Sequence, residues 1–151
     1  MALSIDILAG GRAKSAPETV LAISYLERAR EQGRALGFAS FALAEFDERK
    51  PEKAIEVCAS APLTVALDER GKSLSSEALA KRLAQWRDGG ETRALFVIGG
   101  PDGLPGDVKR AARLTLAFGA QTWPHLLVRA MLAEQLYRSV TILAGHPYHR
   151  P

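Results

Sequence analysis

The stretch Ala94-Leu95-Phe96-Val97-Ile98-Gly99-Gly100-Pro101-Asp102-Gly103 decides the architecture. Five apolar residues in a row, cut off by two glycines, read as a short strand buried on both faces. Such strands belong to parallel sheets covered by helices. Toward the N-terminus, Leu63 to Leu67 is a second compact apolar strand, and Asp68 to Gly71 turns away from it. Ser75 is placed to cap a helix running to about Arg87, with Glu77 in its electropositive first turn and Gly89-Gly90 as its stop. In Leu3 to Ala9, apolar Leu3, Ile5 and Ile7 alternate with Ser4 and Asp6, which is a strand pattern ended by Gly10 and Gly11. Pro17 to Gln32 reads as a helix with proline in its first turn and Gly33 at its end. A further strand lies within Ala35 to Ala44, and Pro51 to Ala59 is a short helix.

Toward the C-terminus, Pro105 opens a helix to about Phe118 and Pro124 a long one to about Arg138. Ser139 to Leu143 reads as a last strand, and Gly145 to Pro151 as a tail. Strands alternate with helices throughout. The expected fold is therefore α/β, a mostly parallel sheet flanked by helices, in one domain spanning 1–151.

The 151 residues suit a single core, and 47% hydrophobic with 25% charged residues fits a globular chain. No apolar run reaches membrane-spanning length, and the first residues lack the basic leader of a secretory signal. One cysteine, Cys58, makes no internal disulfide, so the expectation is cytoplasmic. A net charge of +3 permits an anionic partner without requiring one.

Ligands of open α/β sheets sit beyond the carboxyl ends of strands. Three segments occupy such places: Leu67-Asp68, Gly99 to Gly103, and the loop Gly119 to Trp123. The glycine cluster has neither the spacing of a dinucleotide fingerprint nor the Gly-Lys-Ser/Thr of a P-loop. Two readings stay open for it: a ligand-free turn, and a turn that lets backbone approach a ligand. Pro124 forces Trp123 toward extended backbone, which leaves amides and carbonyls of the loop free to read a purine edge, or simply solvated.

The helix after Pro124 has apolar residues on two sides: Val128, Met131, Leu132 and Leu136, then Leu126, Ala130, Ala133 and Tyr137. Either it is central to a small domain or a second copy covers it. Arg129, flanked by apolar residues, calls for a carboxylate or a phosphate. Arg138 is spaced to pair with Glu134. Lys109, Arg110 and Arg113 cluster on one side of their helix, either to contact phosphate or, by default, as a solvated basic face. The tail His146-Pro147-Tyr148-His149-Arg150 mixes stacking and cationic groups suited to an unpaired RNA base, or is a disordered end. Its two histidines have no third ligand nearby in sequence, so no metal is expected. No G-x-S-x-G elbow or paired-carboxylate motif points to hydrolysis.

Five ordered segments carry a family resemblance: Leu67-Asp68 with Gly71-Lys72 and Leu74-Ser75-Ser76; Phe96 to Leu104; Thr122-Trp123-Pro124-His125 with Leu127-Val128-Arg129; Glu134 to Arg138; and His146 to Arg150. Together they resemble the RlmH family of ribosomal RNA large subunit methyltransferases, of the SPOUT class. The resemblance is strongest from Leu63 to Arg150. It implies a C-terminal deep trefoil knot, at about 93–151, in a homodimer that binds S-adenosyl-L-methionine. It further implies methylation at N3 of a pseudouridine in helix 69 of the 23S ribosomal RNA on the assembled ribosome.

By position, the resemblance implies that Leu67, Gly99, Phe118, Gly119, Ala120, Gln121, Thr122 and Trp123 bind the donor. It implies RNA contacts for Arg129, Tyr148, His149 and Arg150, and catalytic roles for His149, Arg150 and Arg138. The chain departs from the family at Gly119-Ala120-Gln121-Thr122, where Ser-x-Met-Thr is common, at Leu126, where glutamine is common, and in a short segment between Phe46 and Ala61. The alternatives are a methyltransferase of the same fold acting on another RNA base and a non-catalytic dimeric ribosome-binding module.

Overall fold

The computed structural model describes residues 2–61 and 63–151. The decisive stretch is β4 (Arg93–Ile98), whose residues from Ala94 onward are all buried. Around it lie β1 (Leu3–Gly10), β2 (Phe38–Phe46), β3 (Leu63–Ser73) and β5 (Leu114–Ala117), in the order β2-β1-β4-β3-β5. Every pairing is parallel. Parallel neighbours need crossovers, and helices supply them. These are α1 (Pro17–Gly33), α2 (Glu52–Ser60), α3 (Ser76–Asp88) and α4 (Gly106–Ala111), and α5 (His125–Ala144) follows the last strand.

The period-2 pattern of the strands sorts the helices into two layers. Leu3, Ile5, Ile7, Val65 and Phe96 pack with Ala22 and Leu26 of α1, Leu79 and Leu83 of α3, and Leu132 and Leu136 of α5. Leu8, Ala66, Leu95 and Val97 face the other way, onto Ala54 and Cys58 of α2 and Val108 of α4. The result is a three-layer α/β/α sandwich. Full burial of side chains such as Phe96 and Leu132 is worth about 1.5–3 kcal/mol each.

The C-terminal third departs from the sequence reading in two places. The helix expected from Pro105 to Phe118 stops at Ala111, and β5 follows. Ala-Ala-Arg-Leu favours a helix locally, but pairing with β3 overrides it. The strand expected at Ser139–Leu143 is instead the end of α5. Its β-branched residues suggest a strand, yet Ser139 and Thr141 donate to the carbonyls of Gln135 and Arg138, which keeps both hydroxyls satisfied within a helix. Gly145, at φ 70°, then ends α5 with a left-handed cap. The reading of Asp68 to Gly71 as a turn is half right: these four residues bulge out between Leu67 and Lys72, both opposite Leu116, and β3 resumes through Ser73.

Both apolar sides of α5 are covered within the chain, since it packs between α1, α3 and the sheet. Exposed apolar residues remain at one end of that layer: Val20, Leu21 and Ile23 of α1 and Leu127 of α5. Among the described residues no helix is long and apolar enough to cross a membrane.

Candidate functional site

The carboxyl ends of β3, β4 and β5 converge on a cleft of about 430 Å³. Its floor is apolar, from Leu67, Ile98, Leu116 and Val128. The β3 bulge forms one wall with Asp68, Glu69 and Arg70, the turn from Gly99 to Gly103 forms another, and Phe118 with Gln121, Thr122 and Trp123 forms the third. All three segments picked out from the sequence therefore meet in one place. Six of the eight expected donor-binding residues line the cleft: Leu67, Gly99, Phe118, Gln121, Thr122 and Trp123. Gly119 and Ala120 are exposed at the outer bend of the same loop. Gly119 adopts φ +85° with open space where a side chain would stand, so glycine fits the bend without strain.

Each wall is fixed by an identifiable contact. A Cβ on Gly99 would stand 2.4 Å from the Gly103 carbonyl carbon and 2.8 Å from the Leu104 nitrogen, so the turn closes only around a glycine. Trp123 spans the third wall, its indole Nε1 donating to the Phe118 carbonyl at 2.9 Å. The Thr122 hydroxyl donates to the Glu69 carboxylate, tying the loop to the β3 bulge. Lys109 of α4 meets Asp68 at 2.8 Å. That ammonium, with the Arg70 N–H, holds the Asp68 carboxyl below the usual carboxylate range. Sequence inspection missed Glu69 and the Lys109–Asp68 pair, because no spacing rule connects residues of a bulge to a later loop or helix. Lys109, Arg110 and Arg113 do not form one basic face: Arg110 pairs with Asp107, and Arg113 with Glu91 beyond the helix.

The Arg129 reading divides. The residue has its carboxylate: Nη1 lies 2.6 Å from Glu45 of β2 and also donates to the Thr19 hydroxyl, while Nη2 donates to the Gly10 carbonyl. Arg129 is 0% exposed, so the RNA contact implied for it is corrected: a group with no surface here reaches no phosphate. Burial by itself would raise the Glu45 carboxyl, but the Arg129 guanidinium and the Ala13 N–H outweigh it and hold it below its usual value. The network joins the loop after β1 to the start of α5.

The tail is ordered against the body. The Gly145 cap reverses the chain, with the His146 N–H donating to the Thr141 carbonyl. Tyr148 then packs edge-on against Tyr137, with centroids 4.7 Å apart, under the Arg138 guanidinium. Its hydroxyl donates to Glu134 at 2.7 Å, and Arg138 donates to the same carboxylate. Burial and then Glu134 push the Tyr148 phenol up. Arg28 of α1 covers the Tyr137 ring at 4.3 Å, a stacking contact the sequence pass did not anticipate. His149 is held from two sides, by Arg138 and by Glu77 of α3. Arg150 is exposed and has no partner among the described residues. No tail residue lines the cleft of its own chain. Among the described residues, no group of three histidine, cysteine or acidic side chains is placed to hold a metal ion.

This arrangement has relatives. Residues 3–149 match the family model described as "Predicted SPOUT methyltransferase". The chain belongs to the SPOUT methyltransferase family. It is 48% identical to the ribosomal RNA large subunit methyltransferase H of Bradyrhizobium diazoefficiens, over 98% of this chain and 99% of that protein. It is 49% identical, over the same shares, to the protein of that name from Nitrobacter winogradskyi. The fold is also that of a probable methylase family protein from Haemophilus influenzae, with a TM-score of 0.54, 9% identity, and 99% of this chain and 70% of that one covered.

Proposed function

We propose that this SPOUT methyltransferase transfers a methyl group from S-adenosyl-L-methionine to N3 of a pseudouridine in helix 69 of 23S ribosomal RNA, as a cytoplasmic homodimer acting on the assembled ribosome. The observation that carries the reading is the convergence of the β3, β4 and β5 ends on one cleft, in a chain nearly half identical over its full length to large-subunit ribosomal RNA methyltransferases. The segment at about 93–151 would be threaded as the family's deep trefoil knot.

The residues fit a donor of this chemistry. The apolar floor takes the flat base and the carbon chain, the backbone of the 118–123 loop offers hydrogen bonds to a purine edge, and Glu69 and Asp102 supply negative charge for a cationic ligand, the charge of Asp68 being met by Lys109 and Arg70. Leu67, Gly99, Phe118, Gly119, Ala120, Gln121, Thr122 and Trp123 form the proposed binding set. When bound, S-adenosyl-L-methionine supplies a methyl carbon activated by its sulfonium.

The protein's own share is alignment and charge stabilisation. Pseudouridine N3 must lose its proton to attack, so negative charge spreads over the base and its carbonyls. Of the proposed tail groups His149, Arg150 and Arg138, only Arg150 is without a partner among the described residues, which supports it as the group that binds that charge. Tyr148, packed against Tyr137 and bonded to Glu134, is the proposed ring that meets the RNA. Because the tail lies away from its own cleft, it serves the cleft of a second copy, and the exposed apolar residues of α1 and α5 supply the surface that joins the two.

Calorimetric titration with S-adenosyl-L-methionine tests the first half. Saturable binding is expected, abolished in a Gly99→Val variant whose fold is checked by circular dichroism. Ribosomes from a strain lacking the gene test the second half. Incubation with protein and donor should restore N3-methylpseudouridine on nucleoside analysis. A folded protein that binds no donor would be a non-catalytic ribosome-binding module. Methylation of a different nucleoside would keep the enzyme and change its target.

A further inference from the structure

We infer that Glu77, at the start of α3, is a positioning residue that fixes the ring of His149 and with it the C-terminal tail. The argument begins with what each partner can do. An arginine side chain only donates hydrogen bonds. Arg138 Nη1 lies 3.1 Å from His149 Nδ1, so Nδ1 is the acceptor and carries no proton. In a neutral ring the proton then sits on Nε2, which lies 2.7 Å from the Glu77 carboxylate and donates to it. The two contacts require the same tautomer, and each reinforces the other. A protonated ring would turn an N–H toward the guanidinium.

The pair spans distant parts of the chain. Glu77 comes from α3, Arg138 from α5, and His149 from the tail, so the ring joins three pieces at one point. The bond from His149 also holds the Glu77 carboxyl below its usual range. Glu77 is placed by the first turn of α3: Ser75 caps that turn, its hydroxyl accepting from the Ala78 N–H, and the Glu77 carboxylate also bonds its own N–H and the Ser75 side chain. The residue before it, Ser76, donates to Gln135 of α5 at 2.7 Å and ties the two helices together at this point. Glu77 is thus held over the tail by a rigid corner, and its carboxylate is half exposed with no role in the core.

The arrangement also assigns His149. Both of its ring nitrogens are occupied by protein groups, so while latched it accepts no proton from a substrate. Its job is to direct the next residue, Arg150, outward. This consequence rests on the tail reading proposed above, whereas the tautomer does not.

The test is nitrogen NMR of protein labelled with 15N-histidine, with the His149 signals assigned by comparison with His149→Ala. Wild type should show an unprotonated Nδ1 and a protonated Nε2. Glu77→Ala should show exchange between tautomers and faster removal of the tail by carboxypeptidase. Glu77→Gln, whose amide oxygen still accepts from Nε2, should restore both. Turnover on ribosomes should fall roughly 10- to 100-fold in Glu77→Ala through kcat, with donor affinity unchanged, as expected for a displaced group rather than a lost ligand contact. An unaltered Nε2–H signal and a protected tail in Glu77→Ala would overturn the inference. A shifted ring with unchanged turnover would uphold the hold of Glu77 on His149 and overturn the tail's part in the reaction.

Discussion

Replacing Glu45 by alanine should cost more stability than any surface substitution in this chain. Arg129 is wholly buried, and its guanidinium already leaves Nε without a partner. Removing Glu45 takes away the 2.6 Å bond to Nη1 and the 2.7 Å acceptor of the Ala13 N–H. What remains is a buried cation sharing one hydroxyl, of Thr19, and one carbonyl, of Gly10. A hydrogen bond to a charged group contributes about 1.5–3 kcal/mol, and stripping one partner from a buried pair costs about 3–5 kcal/mol. The Glu45 side chain keeps 11% exposure, so water relieves part of the loss and the expected cost is about 3 kcal/mol. For a chain of this length that lowers Tm by about 6–12 °C.

Urea unfolding at fixed protein concentration measures the effect, and a cycle with Arg129→Met separates the pair from its surroundings. The double variant Glu45→Ala/Arg129→Met should be more stable than the sum of the singles by about 1.5 kcal/mol or more, because no unpaired charge is left. The pH dependence has a definite sign. Glu45 titrates below its unfolded value, so its contribution is complete above about pH 4.3 and disappears as pH falls through the lowered folded value. A cost below about 1 kcal/mol, or strictly additive singles, would refute the reasoning.

Three further outcomes are expected. Gly71→Ala should destabilise by about 1–3 kcal/mol in thermal unfolding, because a Cβ there would lie 2.7 Å from the backbone carbonyl of Thr115 and push β3 from β5. If the proposed homodimer joins through the exposed apolar residues of α1 and α5, Leu127→Asp should shift sedimentation toward monomer while leaving the far-ultraviolet spectrum unchanged; a dimer that persists would overturn that interface. Cys58 is buried, and burial pushes its thiol up, so a thiol reagent should modify it far more slowly in buffer than in urea.

Much of the site was legible because it lies where chain direction changes. Glycine pairs, Pro124 and apolar runs mark the ends of strands, and in a parallel sheet those ends share one edge. The three cleft segments therefore could be picked out before any coordinate was known. Five linked segments in order then carried the family. Helix capping by Ser75 and the Glu134–Arg138 pair were equally visible, since both depend on residues within one turn of a helix.

Other features belong to the tertiary structure alone. Leu114–Ala117 is a strand only because β3 offers it an edge, and Val140–Leu143 stays helical because α5 is held along its length by α1, α3 and the sheet. The partner of Arg129 could be foreseen as an anion, but the choice of Glu45 over phosphate follows from two segments far apart in sequence being packed together. The same holds for Glu77 and His149, which lie 72 positions apart. Local sequence sets periodicity, caps and turns, because those energies act within a few residues. Which buried charge meets which, and which short segment joins the sheet, is decided only when desolvation and pairing across the closed fold select one partner.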